Sequence, residues 1–75
     1  MGSIVKKWSV VLDGHKTSVS LENEFWSSLK DIAKRRNMTI AKLIMEIDGS
    51  RDGANLSSAL RLHVLNHYME LCHRR

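Results

Sequence analysis

The residue pattern predicts a mainly α-helical chain led by a short β-ribbon. Three observations carry that reading. Two runs alternate apolar and polar residues at the period of a strand, Asp13-Gly14 stands between them, and everything after Glu22 shifts to the period of a helix. The whole chain, residues 1–75, is short enough for one domain at most.

The first run covers residues 6–12, where Trp8, Val10 and Leu12 alternate with Lys7, Ser9 and Val11. The second covers residues 16–21, where Thr17, Val19 and Leu21 alternate with Lys16, Ser18 and Ser20. Asp-Gly between two such runs signals a two-residue hairpin, because the pair tolerates the positive φ of a type I′ turn. Leu12 then faces His15, Val10 faces Thr17 and Trp8 faces Val19, so the apolar patterns of both strands share one face. Base stacking is one role open to Trp8; a place in the core over the helices is the expected one.

The first helix is expected over residues 22–36. Phe25, Trp26, Leu29, Ile32 and Ala33 make one stripe. Glu22 and Glu24 suit the positive end of the helix dipole, and Lys34, Arg35 and Arg36 suit the negative end. Asn37 reads as a left-handed C-terminal cap. The second helix is expected over residues 39–48, with Thr39 as N-cap and Met38 and Leu43 spaced as a hydrophobic staple. Its stripe is Ile40, Leu43, Ile44 and Ile47. The run Asp48-Gly49-Ser50-Arg51-Asp52-Gly53 reads as a loop. Its acidic spacing starts like a calcium loop but lacks the bidentate Glu such a loop needs, so a plain connector is expected. The third helix is expected over residues 55–73, capped by Asn55. It carries two apolar stripes: Leu56, Leu60, Val64 and Leu71 with Tyr68 nearby, and Leu62, Leu65, Met69 and Cys72. A helix with two stripes is covered on more than one side.

A monomer of this size buries little surface without disulfides, metal or a partner. The lone Cys72 makes no internal disulfide, which points to a reducing compartment and to dimerisation. The second strand needs a partner for its outer edge, and the nearest is the same strand of a second copy. The 12 basic against 8 acidic residues give a formal charge of +4, and the pI of 9.6 suits a nucleic-acid binder as well as ordinary solubility. No apolar run spans a membrane and no signal-peptide core opens the chain, so a cytoplasmic protein is expected. No Gly-rich phosphate loop, Cys pair or nucleophile motif is present, so no enzyme and no cofactor is expected. His63 and His67, one turn apart with Glu70, Cys72 and His73 nearby, have the spacing of a metal pair. The expectation is a half-buried histidine pair on a dimer helix, with no metal assigned.

The order strand, helix, short turn, helix over residues 16–47 resembles the ribbon-helix-helix proteins of the Arc and MetJ type. Leu21 ends the strand, Phe25, Leu29 and Ile32 line the first helix, Asn37 makes the turn, and Thr39-Ile40 open the second helix. The stretches Leu21-Glu22-Asn23-Glu24-Phe25-Trp26 and Asn55-Leu56-Ser57-Ser58-Ala59-Leu60-Arg61 are similar to a group of small bacterial members with an added third helix. The resemblance implies an intertwined homodimer, or a higher even oligomer, with an antiparallel sheet between subunits that binds double-stranded DNA and regulates transcription. It also implies that Lys16, Ser18 and Ser20 face base edges, and that the backbone of Thr39 and Ile40, helped by Lys42, holds a phosphate. Two other roles belong to the same resemblance: an antitoxin, and an assembly module that binds no DNA. The extra first strand departs from the pattern. With strands about 4.8 Å apart, four of them span about 14 Å, against a major groove roughly 12 Å wide. That predicts peeling of the first strand, a shallow approach to DNA, or another use for the surface.

Overall fold

The computed structural model describes residues 4–50 and 55–73. The element order is β1 (Val5–Leu12), β2 (His15–Glu22), α1 (Asn23–Arg35), α2 (Ile40–Ser50) and α3 (Leu56–His73). β1 and β2 form an antiparallel hairpin paired along its full length, from Leu12↔His15 to Val5↔Glu22. The turn has φ 53° at Asp13 and 80° at Gly14, the two positive values that a type I′ turn requires. Trp8↔Val19 and Val10↔Thr17 pair as the alternation predicts.

In the chain without DNA the first strand is paired along its length and tied to the rest of the fold. The indole Nε1 of Trp8 donates to the carbonyl of Leu21 at 3.0 Å. The same ring stacks on Trp26 of α1, with centroids 4.6 Å apart and planes 5° from parallel. Trp8 is therefore half-buried between sheet and helix, and its stacking face is taken by another indole.

The three helices pack on the inner face of the hairpin. Val10, Val19 and Leu21 meet Leu29, Ile32 and Ala33 of α1, Leu43, Ile44 and Ile47 of α2, and Leu60 and Val64 of α3. α1 ends in a Schellman motif. Asn37 has φ 57°, Met38 N–H donates to Ala33 O at 2.9 Å, and Asn37 N–H donates to Lys34 O at 3.1 Å. Turn and cap together let α2 follow α1 after only a few residues.

One expectation is corrected here. Gly49 and Ser50 belong to α2 rather than to a loop, so the helix runs two residues past its expected end at Asp48. The buried Ile47 holds the last turn to the core, and the Ser50 hydroxyl donates to the Ile47 carbonyl at 3.2 Å. A Cβ at Gly49 would meet nothing within 4 Å, so no close approach of chain demanded this glycine. Tertiary packing overrode the Asp-Gly signal, whose cost inside a helix is only about 1 kcal/mol. Arg51, Asp52 and Gly53 lie outside the described residues. A second difference concerns α3: Tyr68 and Leu71 are 37% and 40% exposed, so the first stripe leaves the core after Val64.

Candidate nucleic-acid interface

A two-residue I′ turn fixes which side chains share a face. Directly opposed residues of an antiparallel pair point the same way. One face of the hairpin holds Lys6, Trp8, Val10 and Leu12 with His15, Thr17, Val19 and Leu21, and packs on the helices. The other holds Val5, Lys7, Ser9 and Val11 with Lys16, Ser18, Ser20 and Glu22. Lys16 and Ser18 are exposed on this outer face, and Ser20 is half-buried. Lys7 and Ser9 of β1 are exposed beside them, opposite Ser20 and Ser18 respectively. Sequence reasoning used the register only for the inner face and so missed Lys7 and Ser9. The signal was available, because the same turn fixes both faces.

Ser20 is half-buried because α3 reaches it. Its N–H donates to the Ser57 hydroxyl at 3.1 Å, and its carbonyl accepts from the Arg61 guanidinium at 3.3 Å. Arg61 also donates from Nε to Glu22 Oε1 at 3.1 Å and lies 6.0 Å from the centre of the Phe25 ring. Glu22 is the N-cap residue of α1, in extended conformation. Its own backbone N–H, then Arg61, hold its carboxyl below the usual carboxylate range. The start of α3 thus fastens the outer edge of β2 at the point where the strand becomes a helix. These contacts join residues 37 to 41 positions apart, beyond the reach of any local pattern.

The start of α2 forms as its cap residue dictates. The Thr39 hydroxyl accepts from Lys42 N–H at 3.1 Å, and the Thr39 carbonyl accepts from Leu43 N–H at 3.0 Å. Among the described residues nothing accepts from the N–H groups of Ile40 or Ala41. Such groups, with the helix dipole behind them, suit an anion. Lys42 is exposed in the same turn. Ala41 was absent from the sequence reading, although the four free N–H groups of any helix start imply it.

Residues 5–68 match the ribbon-helix-helix domain family. The chain belongs to that family. Among solved structures it is similar to an uncharacterized protein from Bordetella pertussis Tohama I, with 34% identity and a TM-score of 0.78. The match covers 92% of this chain and 59% of that one, so this chain spans little more than half the length of its structural relative. No curated protein matches the chain. Ribbon-helix-helix proteins bind DNA as regulators or antitoxins, typically as dimers.

Away from the sheet, this ribbon-helix-helix chain gathers a second polar cluster. Ile32, Arg36, His63, Asn66, His67 and Glu70 line an open depression between α1 and α3. Burial, then the neighbouring Arg36 and His67, push the His63 imidazole below its usual range, while Glu46 opposes the shift. Arg36 pairs with Glu46 at 3.2 Å in an exposed bridge. His67 Nε2 is buried with no hydrogen-bond partner among the described residues, and its ring meets Tyr68 edge-on at 5.0 Å. Among the described residues no three His, Cys, Asp or Glu side chains are placed to hold a metal ion. Cys72 is a free, exposed thiol. No described helix is long and apolar enough to cross a membrane.

Proposed function

We propose that this protein is a cytoplasmic, homodimeric regulator of transcription that binds double-stranded DNA through the outer face of its hairpin. It acts by binding and has no catalytic role. The single observation that supports this most is the division of the hairpin: every large core contact is on one face, and the other presents Lys16 and Ser18 to solvent. Lys16 reaches guanine O6 and N7; Ser18 and Ser20 donate or accept and therefore discriminate poorly. Thr39, Ile40 and Lys42 supply the phosphate contact that positions the sheet. Moderate sequence specificity follows from having one long side chain among three reading positions.

Dimerisation uses the edge of β2 that β1 leaves free. Backbone groups of Lys16, Ser18 and Ser20 point to that edge, by the alternation of an antiparallel ladder. At Ser20 both groups are already bonded by α3, so the ladder between subunits runs through Lys16 and Ser18.

The test is duplex affinity at one fixed salt concentration, on a sequence selected by the protein and on a scrambled duplex. Lys16→Ala is expected to cut the preference between them by about 1–3 kcal/mol. Equal loss on both duplexes would make Lys16 a phosphate contact only. No change on either would remove the hairpin face from the groove. The rival role, protein assembly without DNA, draws support from Leu62, Leu65 and Met69, which are 47–55% exposed on α3. Absence of duplex binding at low salt would select it.

A further inference from the structure

The sequence places two lysines side by side in β1, and the pleat sends them to opposite faces. Lys6 lies on the inner face, with its ammonium 6.0 Å from the centre of the Trp8 ring. Lys7 lies exposed on the outer face, directly across from Ser20. At that level of the sheet β2 offers only a half-buried serine whose edge is held by Ser57 and Arg61. The exposed cation there belongs to β1.

Two hairpins joined through β2 place the two β1 strands outermost, about 14 Å apart. The major groove is roughly 12 Å wide. Strands spaced that way stand over the walls of the groove, where the phosphates are, and not over the base edges. A lysine there is a point charge on a flexible stem, which suits an anionic oxygen and carries little base information. We propose that Lys7 is a phosphate anchor: the extra strand carries a second row of contacts that seats a wide sheet on the groove's rims, with Lys16 alone reaching down. This rests on the DNA-binding reading above and extends it to β1.

The pair of lysines supplies its own control, since each substitution removes the same charge from adjacent positions. The experiment measures binding of the full chain to a mixed-sequence duplex and to a duplex selected by the wild type, over a series of salt concentrations. Lys7→Ala should flatten the slope of log K against log salt by about 1.8, one lost contact per subunit at about 0.9 each. It should weaken both duplexes by the same factor, and Lys7→Arg should restore the slope. Lys6→Ala should flatten it distinctly less. Equal slopes for Lys6→Ala and Lys7→Ala would overturn the anchor, leaving only long-range charge. So would an unchanged slope for Lys7→Ala, or a changed preference between the duplexes, which would mean base contact. Failure of the wild type to bind either duplex at low salt is a separate result, and it would defeat the DNA reading itself.

Discussion

Val10 and Val11 are neighbours of identical chemistry, yet Val10 is 7% exposed and Val11 54%. The same contrast holds through the middle of the hairpin, while Lys6 and His15 on the inner face are exposed and Ser20 and Glu22 on the outer face are half-buried. Inward, Val19 and Leu21 are sealed at 2% and 0%, and Trp8 is fixed by a hydrogen bond and a stacked indole. Outward, Lys7, Ser9, Lys16 and Ser18 are open to solvent. Between Trp8 and Val11 and between Thr17 and Val19, position in the pleat decides burial, and residue type follows it on the side that packs. The stability of the hairpin is drawn from one face, which leaves the other free to be chosen for contact.

The largest effect should come from the sealed face. Leu21 is fully buried where β2 meets α1, so Leu21→Ala should cost about 2–5 kcal/mol, the range for emptying a core leucine site. In a chain of 75 residues that approaches the whole stability. Urea unfolding of Leu21→Ala beside Ser20→Ala measures the contrast. Similar midpoints for both would mean that the two faces do not differ energetically.

A smaller loss is expected at the turn that keeps the faces apart. Gly14 has φ 80°, and a Cβ there would meet nothing within 4 Å. Gly14→Ala therefore carries only the backbone cost of a left-handed residue, about 1–2 kcal/mol. The outcome to watch is the character of the product. A slip of one residue would put Val10 and Val19 on opposite faces and so expose one of the two apolar sets, so a variant that binds a hydrophobic dye or aggregates has lost register, and one that merely unfolds earlier has kept it.

Most of this architecture is legible locally. Asp13-Gly14, the two alternations, the stripe from Phe25 to Ala33 and the Asn37 cap each report structure within a few residues, and so they lead to the hairpin and to the helices. The end of α2 misled because Asp48-Gly49 is a local signal overruled by Ile47 in the core. The grip of Ser57 and Arg61 on Ser20, and the stacking of Trp8 on Trp26, depend on how elements dock. No period encodes them. At the candidate site Lys16, Ser18 and the Thr39 cap were readable from alternation and capping rules. Lys7 and Ser9 needed the register to be followed across the hairpin to the face that does not pack, where no apolar pattern draws the eye.

The smallest effect should distinguish an open outer face from a covered one. Ser9 and Ser18 sit directly opposite each other there, and both are exposed. Threonine is the better strand former, since its branched Cβ suits the pleat, and cross-strand pairs of this kind are worth about 0.2–1 kcal/mol. Ser18→Thr adds one methyl group to a surface with room for it. The urea midpoint should therefore rise by a few tenths of a kcal/mol, at the low end of that range, and the denaturant slope should stay the same. If α3 or a second copy of the chain lay across the centre of this face, the methyl would be overpacked and the sign would reverse, with a loss of about 1 kcal/mol or more. Repeating the measurement at two protein concentrations separates those causes. A loss that shrinks on dilution, as the copies separate, places another copy over Ser18, and a loss independent of concentration places the cover within the chain. A gain at both concentrations leaves the outer face free, as contact with DNA requires.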